Sequence, residues 1–202
     1  MKRELLSKIG HKDEALLTAW TDFKKAPSEY SYRELMKYTP KKQVKEWHNK
    51  AIIEAKKRSL PDFIKLCTIT KEWDILAEHI LQVKHHELES ISHYTTGEPA
   101  KKLSKNYPIA AAKLYRAMGI RILNSKKSKY YHYAIDHFQK AKDLYQKSQL
   151  EEEWISVVEG VRKNHYRKYS FIGDFEKIVE GHSSKPPSFL KKTKEQWRKR
   201  IS

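Results

Sequence analysis

Three side chains between residues 86 and 93 have the types and spacing of metal ligands. His86, Glu89 and His93 stand at positions i, i+3 and i+7, so on a continuous helix they would share one face. Two imidazoles and one carboxylate can hold Zn²⁺ or Fe²⁺. The spacing differs from the HExxH motif of zinc proteases, and no residue that would orient the ligands is identifiable. We interpret the three side chains as a solvated polar face, with a metal site as the alternative.

The single cysteine, Cys67, is the one candidate for a thiol nucleophile. A reactive thiol needs a nearby base and an accessible, electropositive site. Cys67 instead follows Phe63, Ile64 and Leu66 in an apolar helical run, which predicts a buried core residue. A lone cysteine also favours a reducing compartment, the cytoplasm. The sequence contains no phosphate-binding loop, dinucleotide-binding glycine motif, serine-nucleophile motif or EF-hand loop, and it therefore predicts no cofactor.

Residues 164–169 alternate basic and aromatic side chains and could bind nucleic acid. Lysine and arginine neutralise phosphates, and aromatic rings stack on unpaired bases. In the other interpretation, which we favour, the tyrosines pack on neighbouring helices and the cations face water. The candidate contacts to nucleic acid or to another partner are Arg162, Lys163, Tyr166, Arg167 and Lys168.

The positive charge of the chain is unevenly distributed. The 202 residues have a formal net charge of +17. Residues 1–100 contain 18 Lys/Arg and 15 Asp/Glu, whereas residues 101–202 contain 24 and 10. This excess predicts an anionic partner for the C-terminal half and nonspecific binding to nucleic acid at low salt. No apolar run approaches the roughly 20 residues of a membrane helix, so we expect no contact with a membrane.

Residues 107–145 contain the clearest helical signal, two periodic segments joined by a polar loop. Pro108 suits the first turn of a helix, where its missing N–H has no partner to lose. Gly119, in the middle of the first segment, would permit close approach of a neighbouring helix. Alanines and aromatic residues alternate in the second segment, which predicts a closely packed pair. The residues that should share its buried face are Tyr131, Ala134, Phe138, Ala141 and Tyr145.

The rest of the chain is also helical in its periodicity. A short helix, a tight turn and a longer helix occur twice, with starts near residues 29 and 60, close to the 34-residue period of helical repeats. A break is expected at residues 95–99, where glycine and proline occur together. The predicted fold is all-α, a tetratricopeptide-like α-solenoid of about ten helices. We expect one repeat domain, residues 1–181, and a basic tail, residues 182–202, that is partly disordered or forms a short helix.

Groups of residues between positions 15 and 172 occur in a recognisable order. These groups are Ala19-Trp20 with Phe23, Pro27-Ser28, Tyr32 with Leu35, Trp47 with Ala51, Pro108 with Ala111 and Leu114-Tyr115-Arg116, and Val161-Arg162 with Tyr166-Arg167-Lys168 and Phe171. The order resembles the C-terminal helical region of bacterial proteins that carry a SWIM zinc finger, and related tetratricopeptide-like families. That finger binds zinc through a Cys-x-Cys pair followed by Cys-x-His, which Cys67 alone cannot supply. The resemblance implies a tetratricopeptide-like α-solenoid, and the finger's role in nucleic-acid binding does not carry over.

These patterns lead to three hypotheses about function. The first is a noncatalytic interaction module that binds a protein or peptide on the concave face of stacked helix pairs. The alternative is a nucleic-acid-binding protein that acts through the basic C-terminal half. The third, a metal-dependent enzyme, depends on residues 86, 89 and 93 alone. The sequence does not identify the partner.

Overall fold

The computed structural model describes residues 2–8 and 10–181, and all regular structure in these residues is helical. The all-α prediction is confirmed. The described residues form twelve α-helices, against about ten expected. The predicted basic tail, residues 182–202, lies outside the described residues. The helices are α1 (Lys2–Lys8), α2 (Lys12–Lys25), α3 (Glu29–Tyr38), α4 (Val44–Arg58), α5 (Leu60–Thr70), α6 (Trp73–Gln82), α7 (His85–Ser90), α8 (His93–Leu103), α9 (Pro108–Asn124), α10 (Tyr131–Lys147), α11 (Glu151–His165) and α12 (Tyr169–Val179).

The chain divides into two compact units, unit 1 (Met1–Leu114) and unit 2 (Tyr115–Ser202), with the boundary inside α9. In unit 1, α2 packs on α3 and α4, and α3 packs on α4 and α5. Helix α5 in turn packs on α4, α6 and α8. In unit 2, α10 packs on α11 and α12, which also contact each other. The single repeat domain of residues 1–181 stays a prediction.

Serine side chains cap the starts of α3, α5 and α8 in unit 1. Ser28 Oγ accepts a hydrogen bond from the Ser31 backbone N–H at 3.1 Å, and Ser31 Oγ accepts one from the Ser28 N–H at 2.9 Å. This reciprocal arrangement satisfies two N–H groups that the helix itself leaves without partners. The Ser59 side chain likewise accepts from the Asp62 N–H at the start of α5. Helices α3 and α5 both line the groove described below.

The break expected at residues 95–99 does not occur, because α8 continues through Pro99. A proline inside a helix removes one hydrogen bond and clashes with the preceding turn, at a cost of about 3 kcal/mol. Packing on α5 and α6 offsets this cost, since Thr96, Pro99, Ala100 and Leu103 are all buried there. Tertiary packing therefore overrides the local signal.

Unit 2 is built around aromatic rings on α10 and α12. Phe138 packs on Phe171 and Phe175, with ring centroids 5.9 and 5.2 Å away, and these two rings also contact each other. At Gly119 of α9 an added Cβ would lie 2.8 Å from Phe138 Cζ, so only glycine allows this approach. The close contact predicted at Gly119 is confirmed. The predicted buried face of α10 is also confirmed, because all five of its residues, Tyr131, Ala134, Phe138, Ala141 and Tyr145, are at most 7% exposed.

Candidate functional site

An open groove with a volume of about 740 Å³ runs along α3, α5 and α8 in unit 1. Two strongly exposed aromatic residues line it, Tyr30 at 70% and Tyr94 at 87% exposure. Ile69 of α5 adds an exposed aliphatic side chain. Sequence reasoning missed this site, because the three helices are adjacent only in the folded chain. The one local signal was that both tyrosines fall outside the buried stripes of their helices.

The charges in the groove leave an excess of one carboxylate. Arg33 donates to Glu29 at 2.6 Å, so these two side chains neutralise each other. Asp62, Lys65 and Glu98 also line the groove, and none of them forms an ion pair within the described residues. A chain that is strongly basic overall therefore has a locally acidic, aromatic groove.

A chain of polar side chains joins α3 and α4 to the start of α6. Tyr32 Oη lies 2.7 Å from His48 Nδ1, and His48 Nε2 lies 3.0 Å from Glu72 Oε1. Burial, followed by the charge of Glu72, raises the pKa of Tyr32, so its hydroxyl stays protonated and can donate to Nδ1. The Nε2–H then donates to the carboxylate. The sequence offered no signal for this group, whose main effect is to hold α3, which lines the groove, against α4.

The structure separates the three metal-ligand candidates. Helix α7 ends at Ser90 and α8 begins at His93, so His86 and Glu89 do not share a helical face with His93. The expectation of one continuous helix is wrong, because an extended Ile91 with a buried side chain redirects the chain. In residues 10–181 no three His, Cys, Asp or Glu side chains are grouped as metal ligands. The hypothesis of a metal-dependent enzyme loses its geometric basis.

Cys67 is fully buried in α5, in agreement with its predicted place in the core. Burial raises the pKa of the Cys67 thiol to about 12, and the negative charges of Glu72 and Asp74 add to this effect. The thiolate is the nucleophilic form of cysteine. Cys67 is therefore a packing residue with an unreactive thiol.

The candidate contacts of the basic run have separate roles. Arg162 donates two hydrogen bonds to Glu176, from Nε at 3.0 Å and from Nη2 at 2.5 Å, and thereby links α11 to α12. This pairing raises the pKa of Arg162 and lowers the pKa of Glu176. Lys163 and Arg167 are exposed, and so is Tyr166 at 55%. Lys168 is half-buried, with Nζ above the ring of Tyr131 at 5.8 Å.

Three basic side chains serve the fold by binding the ends of distant helices. Arg58 donates to the carbonyl oxygens of Lys24 and Lys25 at the end of α2, at 3.1 and 3.0 Å. Lys113 Nζ donates to the carbonyl oxygens that end α6, and Lys142 Nζ to those that end α12. Helix C-termini leave carbonyls without partners and favour cations. Part of the positive charge is thus structural and not available to a ligand.

None of the described helices combines the length and apolar character that a membrane span requires. Comparisons with curated proteins and with solved structures found no match. A comparison with protein families matched residues 1–173 to a family described as a family of unknown function (DUF6880). This match does not test the resemblance to SWIM zinc-finger proteins, which stays a prediction. Because the match covers most of the sequence, the chain belongs to this family, DUF6880.

Proposed function

We propose that the protein is a noncatalytic interaction module that binds an extended segment of a partner protein. The observation that carries this proposal is the open groove along α3, α5 and α8 in unit 1. Its volume of about 740 Å³ accommodates several side chains of a bound segment. A cytoplasmic location and a tetratricopeptide-like α-solenoid are part of the same proposal.

The packing order of unit 1 supports a helical repeat. Helix α2 contacts α3 and α4, and helix α3 contacts α4 and α5. Each of these two helices therefore packs on the next two helices in the chain. Stacked helix pairs produce this pattern, because each repeat contacts only adjacent repeats. Helices α3 and α5 begin at Glu29 and Leu60, which agrees with the spacing in the sequence. In such arrays the first helices of successive pairs form one continuous surface. Helices α3 and α5 would be the first helices of two successive pairs, and both line the groove.

The lining of the groove indicates the chemistry of the partner. Asp62 and Glu98 are carboxylates without ion-pair partners in the described residues. The positive charge of Lys65 offsets one of these two negative charges in the net charge of the groove, so one negative charge is left over. A lysine or arginine of the partner would complete the pairing. Tyr30 and Tyr94 offer exposed rings on which the methylene stem of that side chain, or a proline, can pack. We therefore infer a partner segment that is extended and contains at least one basic residue.

Selection from a library of displayed 12-residue peptides on the immobilised full chain tests this proposal. The enriched peptides should contain lysine or arginine, and fluorescence anisotropy then measures their affinity. In a double variant, Asp62→Asn with Glu98→Gln, affinity should fall at least about tenfold, equivalent to about 1.4 kcal/mol. A second double variant, Tyr30→Ala with Tyr94→Ala, should weaken binding to a similar extent.

Helix α6 provides a matched control for the charge change. Asp74 and Glu78 are exposed carboxylates of the same unit that do not line the groove. Asp74→Asn with Glu78→Gln removes the same charge and should leave peptide affinity within about twofold. The groove is not a peptide site if no peptide is enriched. It is also not a peptide site if the enriched peptides bind the Asp62/Glu98 variant and the Tyr30/Tyr94 variant as tightly as they bind the unaltered chain.

A further inference from the structure

One end of unit 2 brings together two segments that are basic and aromatic, residues 126–133 and 162–169. We call them the basic-aromatic end. Helix α11 follows α10 after a three-residue turn and packs on it, so the start of α10 and the end of α11 lie at the same end of the unit. Lys168 Nζ lies 5.8 Å from the centroid of the Tyr131 ring, and Tyr131 packs on Phe171 at 5.8 Å. The contact between Lys168 and Tyr131 joins the two segments directly.

The positive charge of the described part of unit 2 is concentrated at this end. Residues 115–181 contain 13 Lys/Arg and 9 Asp/Glu, and the two segments hold seven of the cations and none of the acids. The rest of residues 115–181 therefore has more acids than bases. The acids Glu151, Glu152 and Glu153 begin α11 at its far end, and a helix of 15 residues is about 22 Å long. Within residues 115–181, unit 2 is thus electrically polarised.

Tyrosine rings at this end are exposed to solvent. The exposed fractions are 39% for Tyr130, 52% for Tyr133, 55% for Tyr166 and 80% for Tyr169. This exposure overturns the interpretation that the tyrosines of residues 164–169 pack on neighbouring helices. Tyr131, by contrast, is buried. Rings that remain in water beside cations are available to stack on a ligand.

The cations at this end are placed beside those rings. Lys129 Nζ lies 4.9 Å from the centroid of Tyr130, and the Arg167 guanidinium lies 5.3 Å from that of Tyr166. Arg167 Nε also donates to Tyr166 Oη at 2.9 Å. Arg162 is neutralised by Glu176, but Lys126, Lys127 and Lys163 are exposed and form no ion pair in the part of the chain that the structure describes. A ligand with regularly spaced negative charges would meet both kinds of group.

We propose that the basic-aromatic end binds single-stranded nucleic acid, with phosphates at the lysines and at Arg167 and bases stacked on the exposed tyrosines. Stacking requires unpaired bases, because a duplex encloses the faces of its bases. An anionic membrane surface fits less well. The two segments contain no aliphatic residue, phenylalanine or tryptophan that could enter the acyl region. This site is independent of the groove in unit 1.

The test measures binding of the full chain to fluorescent 12-residue oligouridine and oligothymidine by anisotropy, over a range of salt concentrations. The double variant Tyr166→Ala with Tyr169→Ala should bind both single strands at least tenfold more weakly than the unaltered chain. Replacing Lys126, Lys127 and Lys129 by glutamine should reduce the slope of log K against log salt by about 0.7 for each phosphate that the variant no longer neutralises. Preference for oligouridine identifies RNA as the ligand, and the opposite preference identifies DNA.

Three controls separate this site from general attraction to polycations. Tyr30→Ala with Tyr94→Ala removes two exposed rings of unit 1 and should leave oligonucleotide binding unchanged. Replacing the seven Lys/Arg of residues 182–202 by glutamine should weaken binding but preserve the tenfold effect of the Tyr166 and Tyr169 substitutions. A blunt duplex of 12 base pairs should bind at least tenfold more weakly than the single strands.

The proposal is wrong if the duplex binds equally well, if the tyrosine variant binds normally, or if the glutamine tail abolishes all binding. It is equally wrong if the same tyrosines control binding to vesicles of anionic phospholipid and not to oligonucleotides.

Discussion

The two units present different surfaces, although both are built only from helices in the described residues. The groove of unit 1 runs along the sides of three helices and contains both signs of charge. The basic-aromatic end of unit 2 lies at helix ends, where α9 and α11 end and α10 and α12 begin. The comparison teaches that the sides and the ends of helices present different chemistry in this chain.

The cores of the units differ as well. In unit 2 the rings of Phe138, Phe171, Phe175 and Trp154 form one aromatic cluster. In unit 1 the rings of Trp20, Phe23, Tyr32 and Trp47 are also in contact, but only Phe23 among them is fully buried. More aromatic surface is therefore buried in the cluster of unit 2, and single substitutions there should show it.

The largest effect is expected for Phe138→Ala. It removes the central ring of the unit 2 cluster and should lower the free energy of unfolding by about 3–5 kcal/mol. Urea denaturation followed by circular dichroism measures this change. Tyr133→Ala, an exposed ring on the same helix, should cost less than about 0.5 kcal/mol. Comparable destabilisation by both variants would show that the cluster does not hold unit 2 together.

Two variants, Lys142→Met in unit 2 and Lys113→Met in unit 1, compare the lysines that bind helix ends in the two units. The Nζ of Lys142 donates to the Ile178 carbonyl at 2.6 Å and is buried, so its removal should cost about 1.5–3 kcal/mol. Lys113→Met removes the corresponding interaction with α6 in unit 1, where water can reach the Leu81 carbonyl. Its cost should be smaller, and chemical denaturation of both variants measures the difference. A larger destabilisation by Lys113→Met would reverse the comparison.

Two glycine substitutions separate backbone propensity from packing. Gly119→Ala places a methyl group against the ring of Phe138 and should cost about 1–3 kcal/mol. Gly160→Ala in α11 meets no atom within 4 Å and should stabilise the protein by about 0.4–1 kcal/mol. Thermal unfolding of the two variants should therefore shift in opposite directions. A shift in the same direction would mean that α9 and α10 do not approach closely at Gly119.

The smallest effect concerns acid stability, to which each unit contributes a half-buried histidine with a lowered pKa. Burial lowers the pKa of His79 and of His165 from the ordinary value of 6.5, and Lys56 and Lys168 respectively lower it further. Below pH 6.5 the unfolded chain therefore binds more protons than the folded one. Stability should fall as the pH drops through 6.5 and level off below the lowered folded-state pKa values.

His79→Gln and His165→Gln should each make that pH dependence shallower. The measurement is the midpoint of urea denaturation between pH 5 and 8. An unchanged profile in both variants would show that other groups control the acid response.

Local patterns in the sequence determined much of the fold. Helical periodicity placed Ala134, Phe138 and Ala141 on one buried face and predicted a helix start near residue 60, where α5 begins. The apolar run around Cys67 marked a core residue. Such features are legible because they depend on groups within one or two helical turns.

Only the tertiary structure decided which residues meet across long separations. It extended α8 through Pro99, because burial against α5 and α6 outweighs the local cost of a proline. It assigned Arg162 to Glu176 and Lys142 to the end of α12, and thereby removed two cations from any ligand site. The groove and the basic-aromatic end were likewise decided by packing. Each combines segments at least 25 residues apart, and no local pattern specifies the packing that brings such segments together.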